Sequence, residues 1–144
     1  MLGNPWKLRK VVLPQHTDHA GVMWHGTYLN WLEEARIDAL SKVGISYGAL
    51  SKEGYEMPVV SLTINYFKPI LHGNEVFLDS WLMERKGARW PWKTNFSNLE
   101  GDKMAQANVD LVFIKRSSSG LRVVKQIPKI FIEAFSRLQT PSNL

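Results

Sequence analysis

The sequence contains no cysteine, and that absence removes several kinds of chemistry at once. Disulfides, thiolate metal sites and a cysteine nucleophile are excluded, so any covalent catalysis must run through oxygen or nitrogen. Long apolar runs are missing too. No stretch approaches the roughly 18 residues of a membrane span, and the opening M-L-G-N-P-W-K lacks the apolar core of a signal peptide. A cytoplasmic protein with no membrane partner is expected. Acidic residues are in deficit, 13 against 18 lysines and arginines, for a net charge of +5, which suits a phosphate-bearing partner of some kind. Repeats and low-complexity tracts are also absent. A chain of 144 residues, 44% hydrophobic and 22% charged, fits one domain over 1–144, long enough to bury about two-thirds of its unfolded surface.

What is present is concentrated between His16 and Val43. From Tyr28 onward, Tyr28, Trp31, Leu32, Ala35, Ala39, Leu40 and Val43 form the i, i+3, i+4, i+7 stripe of a half-buried helix of about four turns. Gly26 and Thr27 sit at its start signal, and Gly44 where a left-handed C-terminal cap belongs. The first backbone N–H groups of such a helix have no partners within it, so the segment His25 to Tyr28 offers donors and a partial positive charge to an oxyanion. Upstream, Asp18 lies in a polar loop that Gly21 can turn sharply. Two readings stand: the carboxylate folds back toward the helix tip as a working acid, or it caps its own turn.

The run T-D-H-A-G-V-M-W-H-G-T-Y-L-N-W-L-E-E-A-R resembles the signature of hotdog-fold acyl-CoA thioesterases of the 4-hydroxybenzoyl-CoA thioesterase and YbgC-like group. Asp18 matches that family's catalytic aspartate, Gly21 its glycine, His25 the His/Tyr position before the helix, Tyr28 its tyrosine and Glu33 its helical glutamate. His16 departs from the pattern, since many members carry an acid there. Asn74, after Tyr66-Phe67-Lys68-Pro69, stands where the family often has Asp, and its role reads as structural. The resemblance implies an α+β hotdog fold, with a five- to six-stranded antiparallel sheet wrapped around a long central helix. It also implies a homodimer or homotetramer with active sites between subunits, and an acyl-CoA substrate.

The remaining pattern fits that architecture. Trp6 to Leu13 reads as a first strand; the stretch from Gly44 to Pro58 reads as a loop holding a short helical turn. Four strands follow over Val59–Lys68, Glu75–Glu84, Ala88–Leu99 and Lys103–Lys115, with Phe77, Trp81 and Met83 sharing one face of the second. Pro91 argues for an edge or a bulge in the third. Leu121 to Ile127 offers a last strand, and Pro128 opens a helix with Ile130, Phe131, Ala134, Phe135 and Leu138 on one face. The tail after Gln139 should fray.

Thioester hydrolysis requires donors aimed at the oxygen that gains charge. By resemblance the leading donor is the backbone N–H at His25, with Gly26 and Thr27 beside it, and Tyr28 and Trp24 as further substrate contacts. Asp18 then attacks the carbonyl or activates water, and an ordinary aspartate is ionised for either task at neutral pH. The His25 imidazole could orient the acyl group or protonate the leaving thiolate, or could serve only packing. Arg85, Lys86 and Arg89 are assigned to the phosphates of coenzyme A because the family places such contacts near this hairpin; the other reading is a solvated turn. Glu33 ranks below Asp18 as an acid, because glutamates in a first helical turn commonly serve the dipole and pair with Arg36 or Lys42. His16, Asp18, His19 and His25 lack an established metal spacing, so no metal and no separate cofactor are expected. Trp24, next to the proposed site, could stack on a flat acyl group and favours an aromatic substrate such as 4-hydroxybenzoyl- or 1,4-dihydroxy-2-naphthoyl-CoA. A short- or medium-chain fatty acyl-CoA is the alternative. The run R-K-G-A-R-W-P-W-K could instead be a stacking platform for single-stranded nucleic acid, a reading no RNP, KH or zinc signature supports. A non-catalytic acyl-CoA binder or a hotdog dehydratase would share the fold without releasing a thiol.

Overall fold

The computed structural model describes residues 3–139, and its layout follows from one apolar stripe. Helix α1 spans His25–Lys42 and buries Tyr28, Trp31, Leu32, Ala35, Ala39 and Leu40, the face that the 3.6-residue period places together. Val43 is buried after them, and Gly44 ends the helix at φ +85°, a conformation that a side chain would strain. Against this face lies an antiparallel sheet of β1 (Trp6–Val11), β3 (Val59–Tyr66), β4 (Glu75–Leu82), β5 (Arg89–Ser97) and β6 (Lys103–Val112). Its strand order is β1-β4-β5-β6-β3. A small second sheet joins β2 (Tyr55–Glu56), β7 (Ile114–Ser117) and β8 (Gly120–Val123) in the order β2-β7-β8. Two shorter helices complete the chain, α2 (Tyr47–Lys52) and α3 (Lys129–Gln139). This is the hotdog arrangement, although the central helix is one of three.

Several expectations need correction. The stretch from Gly44 to Pro58 is more ordered than a loop: Ser46 caps α2 by accepting from the Ala49 N–H at 3.3 Å, and β2 pairs with β7. The strand expected over Lys103–Lys115 divides after Val112, and Phe113 is fully buried where the chain leaves one sheet for the other. Phe77, Trp81 and Met83 do share one face of β4, and it is the outer, half-exposed one, while the inward face is Val76, Leu78, Ser80 and Leu82. Alternation alone leaves the phase open, and the β4–β5 register decides it by placing Leu78, Ser80 and Leu82 opposite buried Phe96, Thr94 and Trp92.

Pro91 sits in the central strand of the sheet rather than at an edge, without a bulge at that position. It is accommodated because β4 ends at Leu82. Pro91 accepts from the Met83 N–H at 2.8 Å, and the Met83 carbonyl takes its donor from the Gln139 side chain at 2.9 Å instead. Helix α3 turns Phe131, Ala134, Phe135 and Leu138 inward as expected, but Ile130 is 70% exposed. The tail after Gln139 lies outside the described residues. No helix among the described residues is long and apolar enough to cross a membrane.

Inside the sheet, Ser80 and Thr94 are buried and share a hydrogen bond at 2.9 Å between β4 and β5. Thr94→Val strips Ser80 of that partner and should destabilise the fold by about 1–3 kcal/mol in urea denaturation. The double variant Ser80→Ala/Thr94→Val should recover most of that loss, because no hydroxyl is then stranded.

Candidate active site

The site is built where the chain enters α1. After β1, a single 3-10 turn over Pro14–His16 redirects the backbone, and the His16 Nδ1 accepts from the Leu13 N–H at 3.0 Å. The His16 carbonyl then accepts from the Trp24 N–H and from the Thr27 hydroxyl, both at 2.9 Å, while its ring meets Trp31 edge-on at 5.2 Å. The non-acidic residue at this position therefore clamps the loop to the first turn of the helix.

Between the clamp points the chain makes a narrow excursion closed by a Thr17–Met23 bridge. Asp18 is exposed rather than buried, and its Oδ1 accepts from the N–H groups of Ala20 at 2.9 Å and Val22 at 3.3 Å. Gly21 turns the tip at φ +79°. The excursion is stitched to the segment after β3 by Met23 N–H to the Ile70 carbonyl at 2.7 Å and His72 N–H to the Gly21 carbonyl at 3.1 Å. Asn74 is structural, accepting from the Leu71 N–H at 2.9 Å. Asp18 thus caps its own turn, and the Oδ2 oxygen has no partner among the described residues.

At the helix tip, Trp24 occupies the N-cap position without a side-chain cap. Thr27 N–H donates to the Trp24 carbonyl at 2.9 Å, and the N–H groups of His25 and Gly26 have no acceptor among the described residues. The Trp24 indole is 49% exposed and rests against Gly26, where any β-carbon would collide with it at 2.2 Å. The His25 ring lies 5.1 Å from that indole. Below them opens a hollow of about 350 Å³ lined by Met23, His25, Tyr28, Tyr66, Phe67 and Lys68. Tyr28 meets Tyr66 at 5.0 Å and Phe96 at 5.2 Å, both edge-on. Burial, aided by Tyr66, pushes the Tyr28 hydroxyl from 10.0 up to about 12, so the phenol stays protonated and remains a donor.

The arrangement offers two open backbone donors, an exposed carboxylate fixed through one oxygen, and an aromatic-lined hollow. The profile of one family, the thioesterase-like superfamily, matches residues 12–135. The chain belongs to that superfamily. It is 33% identical over 129 residues to the Synechocystis protein named "Putative esterase sll0410", covering 89% of this chain and 76% of the other. It is 25% identical over 109 residues to the acyl-CoA thioester hydrolase YbgC of Escherichia coli, covering 76% and 80%. The crystal structure of DHNA-CoA thioesterase from Staphylococcus aureus superposes with a TM-score of 0.81 at 29% identity, covering 92% of this chain and 89% of that one.

Within this thioesterase fold, Trp24, His25, Gly26, Thr27 and Tyr28 come together at the helix tip, with the Asp18 turn strapped beside them. Arg85, Lys86 and Arg89 do not join them in one protomer. They occupy the β4–β5 hairpin, at the opposite end of β5 from Phe96 and roughly 23 Å away along the strand. Arg85 is held locally, donating to the carbonyls of Gly87 at 2.7 Å and Lys125 at 2.8 Å and lying over Trp90 at 5.3 Å. Arg89 pairs with Asp110 at 3.2 Å. Trp90 and Trp92 are buried, so the R-K-G-A-R-W-P-W-K stretch presents no exposed stacking platform. Glu33 makes no ion pair among the described residues, and Lys42 pairs with Asp38 at 2.9 Å. No three His, Asp or Glu side chains converge among the described residues.

Tyr66, Phe67 and Lys68 escaped the sequence reading as site residues, although the Y-x-x-P segment containing them was visible. Only the packing of the end of β3 against α1 shows that they wall the hollow. The raised Tyr28 pKa carries a sign: the folded state resists ionisation, so its contribution to stability is complete below pH 10 and is lost as pH rises through about 12. Tyr28→Phe should therefore lose less stability than wild type between pH 9 and pH 11.5 in denaturant titrations.

Proposed function

We propose that this chain hydrolyses acyl-CoA thioesters, with an aromatic acyl group as the preferred substrate. The observation that carries the reading is the pair of N–H groups without acceptors, His25 and Gly26, at the tip of α1 beside a hollow that Val22, at the end of the Asp18 turn, helps to line. Such donors bind best the oxygen that becomes negative as the carbonyl turns tetrahedral. Asp18 Oδ2 attacks the carbonyl carbon, the tetrahedral intermediate collapses, and the C–S bond breaks to release coenzyme A as a thiolate. The mixed anhydride is then cleaved by water, returning the Asp18 carboxylate and freeing the acid. Oδ1 stays bound to the Ala20 and Val22 N–H groups throughout, so the nucleophile needs no reorganisation before attack. In this reading the His25 imidazole supplies a proton to the departing sulfur. The half-exposed Trp24 indole gives a flat acyl group a surface for stacking, and the S. aureus relative is itself named for an aromatic thioester.

One protomer does not close this site. Strand β3 is a free edge, and Val59, Val60, Leu62 and Tyr66 are exposed on it. An apolar unpaired edge of this kind invites a second copy. Pairing two β3 strands about a two-fold axis would continue the sheet and wall the hollow from the other side. Arg85, Lys86 and Arg89, remote within one protomer, could then reach coenzyme A phosphates only across a subunit boundary.

Asp18→Asn tests the assignment cleanly, because the amide oxygen can keep the turn cap. The variant should fold with wild-type stability and lose at least about 100-fold in kcat in a thiol-release assay over aromatic and aliphatic acyl-CoAs. Full activity in the variant would remove Asp18 from the chemistry. No hydrolysis of any thioester by wild type would end the enzymatic reading.

A further inference from the structure

His16 is where the end of the β1 segment, the Asp18 turn and the first turns of α1 meet. Its backbone N–H donates to the Leu13 carbonyl at 2.9 Å while its Nδ1 accepts from the Leu13 N–H at 3.0 Å, so the two residues close the 3-10 turn reciprocally. Its carbonyl receives the Trp24 N–H and the Thr27 hydroxyl, both at 2.9 Å, and its half-buried ring stands edge-on to Trp31 at 5.2 Å. Asp18 follows two residues later, on the turn that starts from this junction. All of these contacts are made within one protomer and need no second copy.

The bond at Nδ1 fixes the form of the ring. A neutral imidazole carries one proton, and the nitrogen that accepts from an N–H cannot be the one holding it, so the proton sits on Nε2. A second proton goes onto Nδ1 itself. Two donors then face each other across 3.0 Å, and the Leu13 bond is lost. Imidazole is the side chain that makes this change between about pH 5 and pH 8. A carboxylate, which many members of the resembled group carry at this position, would accept the same N–H and stay ionised over that range.

No acid pairs with the ring to hold that second proton: among the described residues His16 makes no ion pair. On β1, the Lys10 ammonium lies over Trp31 at 5.7 Å and pairs with Glu34 of α1 at 2.9 Å. In the entry segment Asp18 Oδ1 is bound within its own turn, and His19 and His25 are exposed.

We propose that His16 is a positioning residue for the reaction, and that its second proton unlocks the entry loop and slows thioester hydrolysis in mild acid. The reaction it serves rests on the thioesterase reading given above; the lock rests on the hydrogen bonds alone. Unlocking acts on both halves of the site at once, because one residue sets the start of the Asp18 turn and, through its carbonyl, the first turn of α1.

Two substitutions remove the switch from opposite sides. His16→Asn keeps an acceptor close to the place of Nδ1 but cannot gain a proton in this range. Leu13→Pro removes the donor and leaves the imidazole no bond to lose; Leu13 lies at φ −93°, ψ 163°, within reach of a proline ring, and its N–H serves only His16 among the described residues. Between about pH 7.5 and pH 5.5, where an ordinary carboxylate stays ionised, wild type should lose about tenfold more in kcat/KM than either variant, the scale of one hydrogen bond. His25 is retained in both variants, so its own titration cancels from the comparison. NMR over the same range reads the lock without turnover. The Leu13, Trp24 and Thr27 amides should shift together with His16 protonation in wild type, and those of His16→Asn should stay still. Amides that shift with His16 in a protein that hydrolyses no thioester would uphold the lock and overturn the thioesterase reading. Superimposable pH–rate profiles for wild type and both variants would overturn the proposal, as would a neutral His16 ring carrying its proton on Nδ1. Should a variant fail to fold, the wild-type amides decide: Trp24 and Thr27 signals that stay still while His16 titrates would rule the lock out.

Discussion

Burial of one face of α1 against the inner surface of the five-stranded sheet is the constraint on which everything else depends. Trp31, Leu32, Ala35, Ala39 and Leu40 disappear from solvent along that face, and each large side chain contributes roughly 1.5–3 kcal/mol. The same packing fixes the helix's rotation about its own axis. Once the stripe is seated, the tip and the Leu29–Arg36 side have no freedom to turn inward. Two backbone donors are thereby left without acceptors at the tip, as a consequence of where the hydrocarbon has gone.

The entry loop is organised around the same constraint. His16 closes the loop with its carbonyl and ring, Thr27 answers from inside the helix, and Asp18 holds the intervening turn through a single oxygen. The capping and catalytic readings of Asp18 do not compete, because the cap consumes one oxygen and leaves the other open. Gly26 serves a related purpose: with no β-carbon it lets the Trp24 indole rest on the first turn of α1, so an aromatic surface lies directly against the helix tip.

Legibility differed between the elements for physical reasons. The helix and its buried stripe could be read because a 3.6-residue period over eighteen residues has few alternative explanations. The inner face of β4 could not be chosen from the sequence because a strand bearing Phe77 and Trp81 on one side and Val76, Leu78 and Leu82 on the other is apolar on both, and alternation then has no phase. Pro91 misled because the argument from its missing N–H assumes that a neighbouring strand wants it. That neighbour ends first, and a glutamine from a distant helix supplies the donor. The hollow that Arg36 and Trp92 both line was invisible for a similar reason, since residues more than fifty positions apart carry no local signal of shared surroundings.

By itself the sequence determined the class of fold, the extent of the central helix and the superfamily. These depend on local periodicity and on residue types that only a few environments tolerate. The tertiary structure alone decided which oxygen of Asp18 is free, which face of β4 turns inward, where the basic hairpin lies relative to the helix tip, and that Arg36 and Trp92 share a cavity. Each of those is a relation between segments remote in the chain, set by strand register and by the rotation of a packed helix.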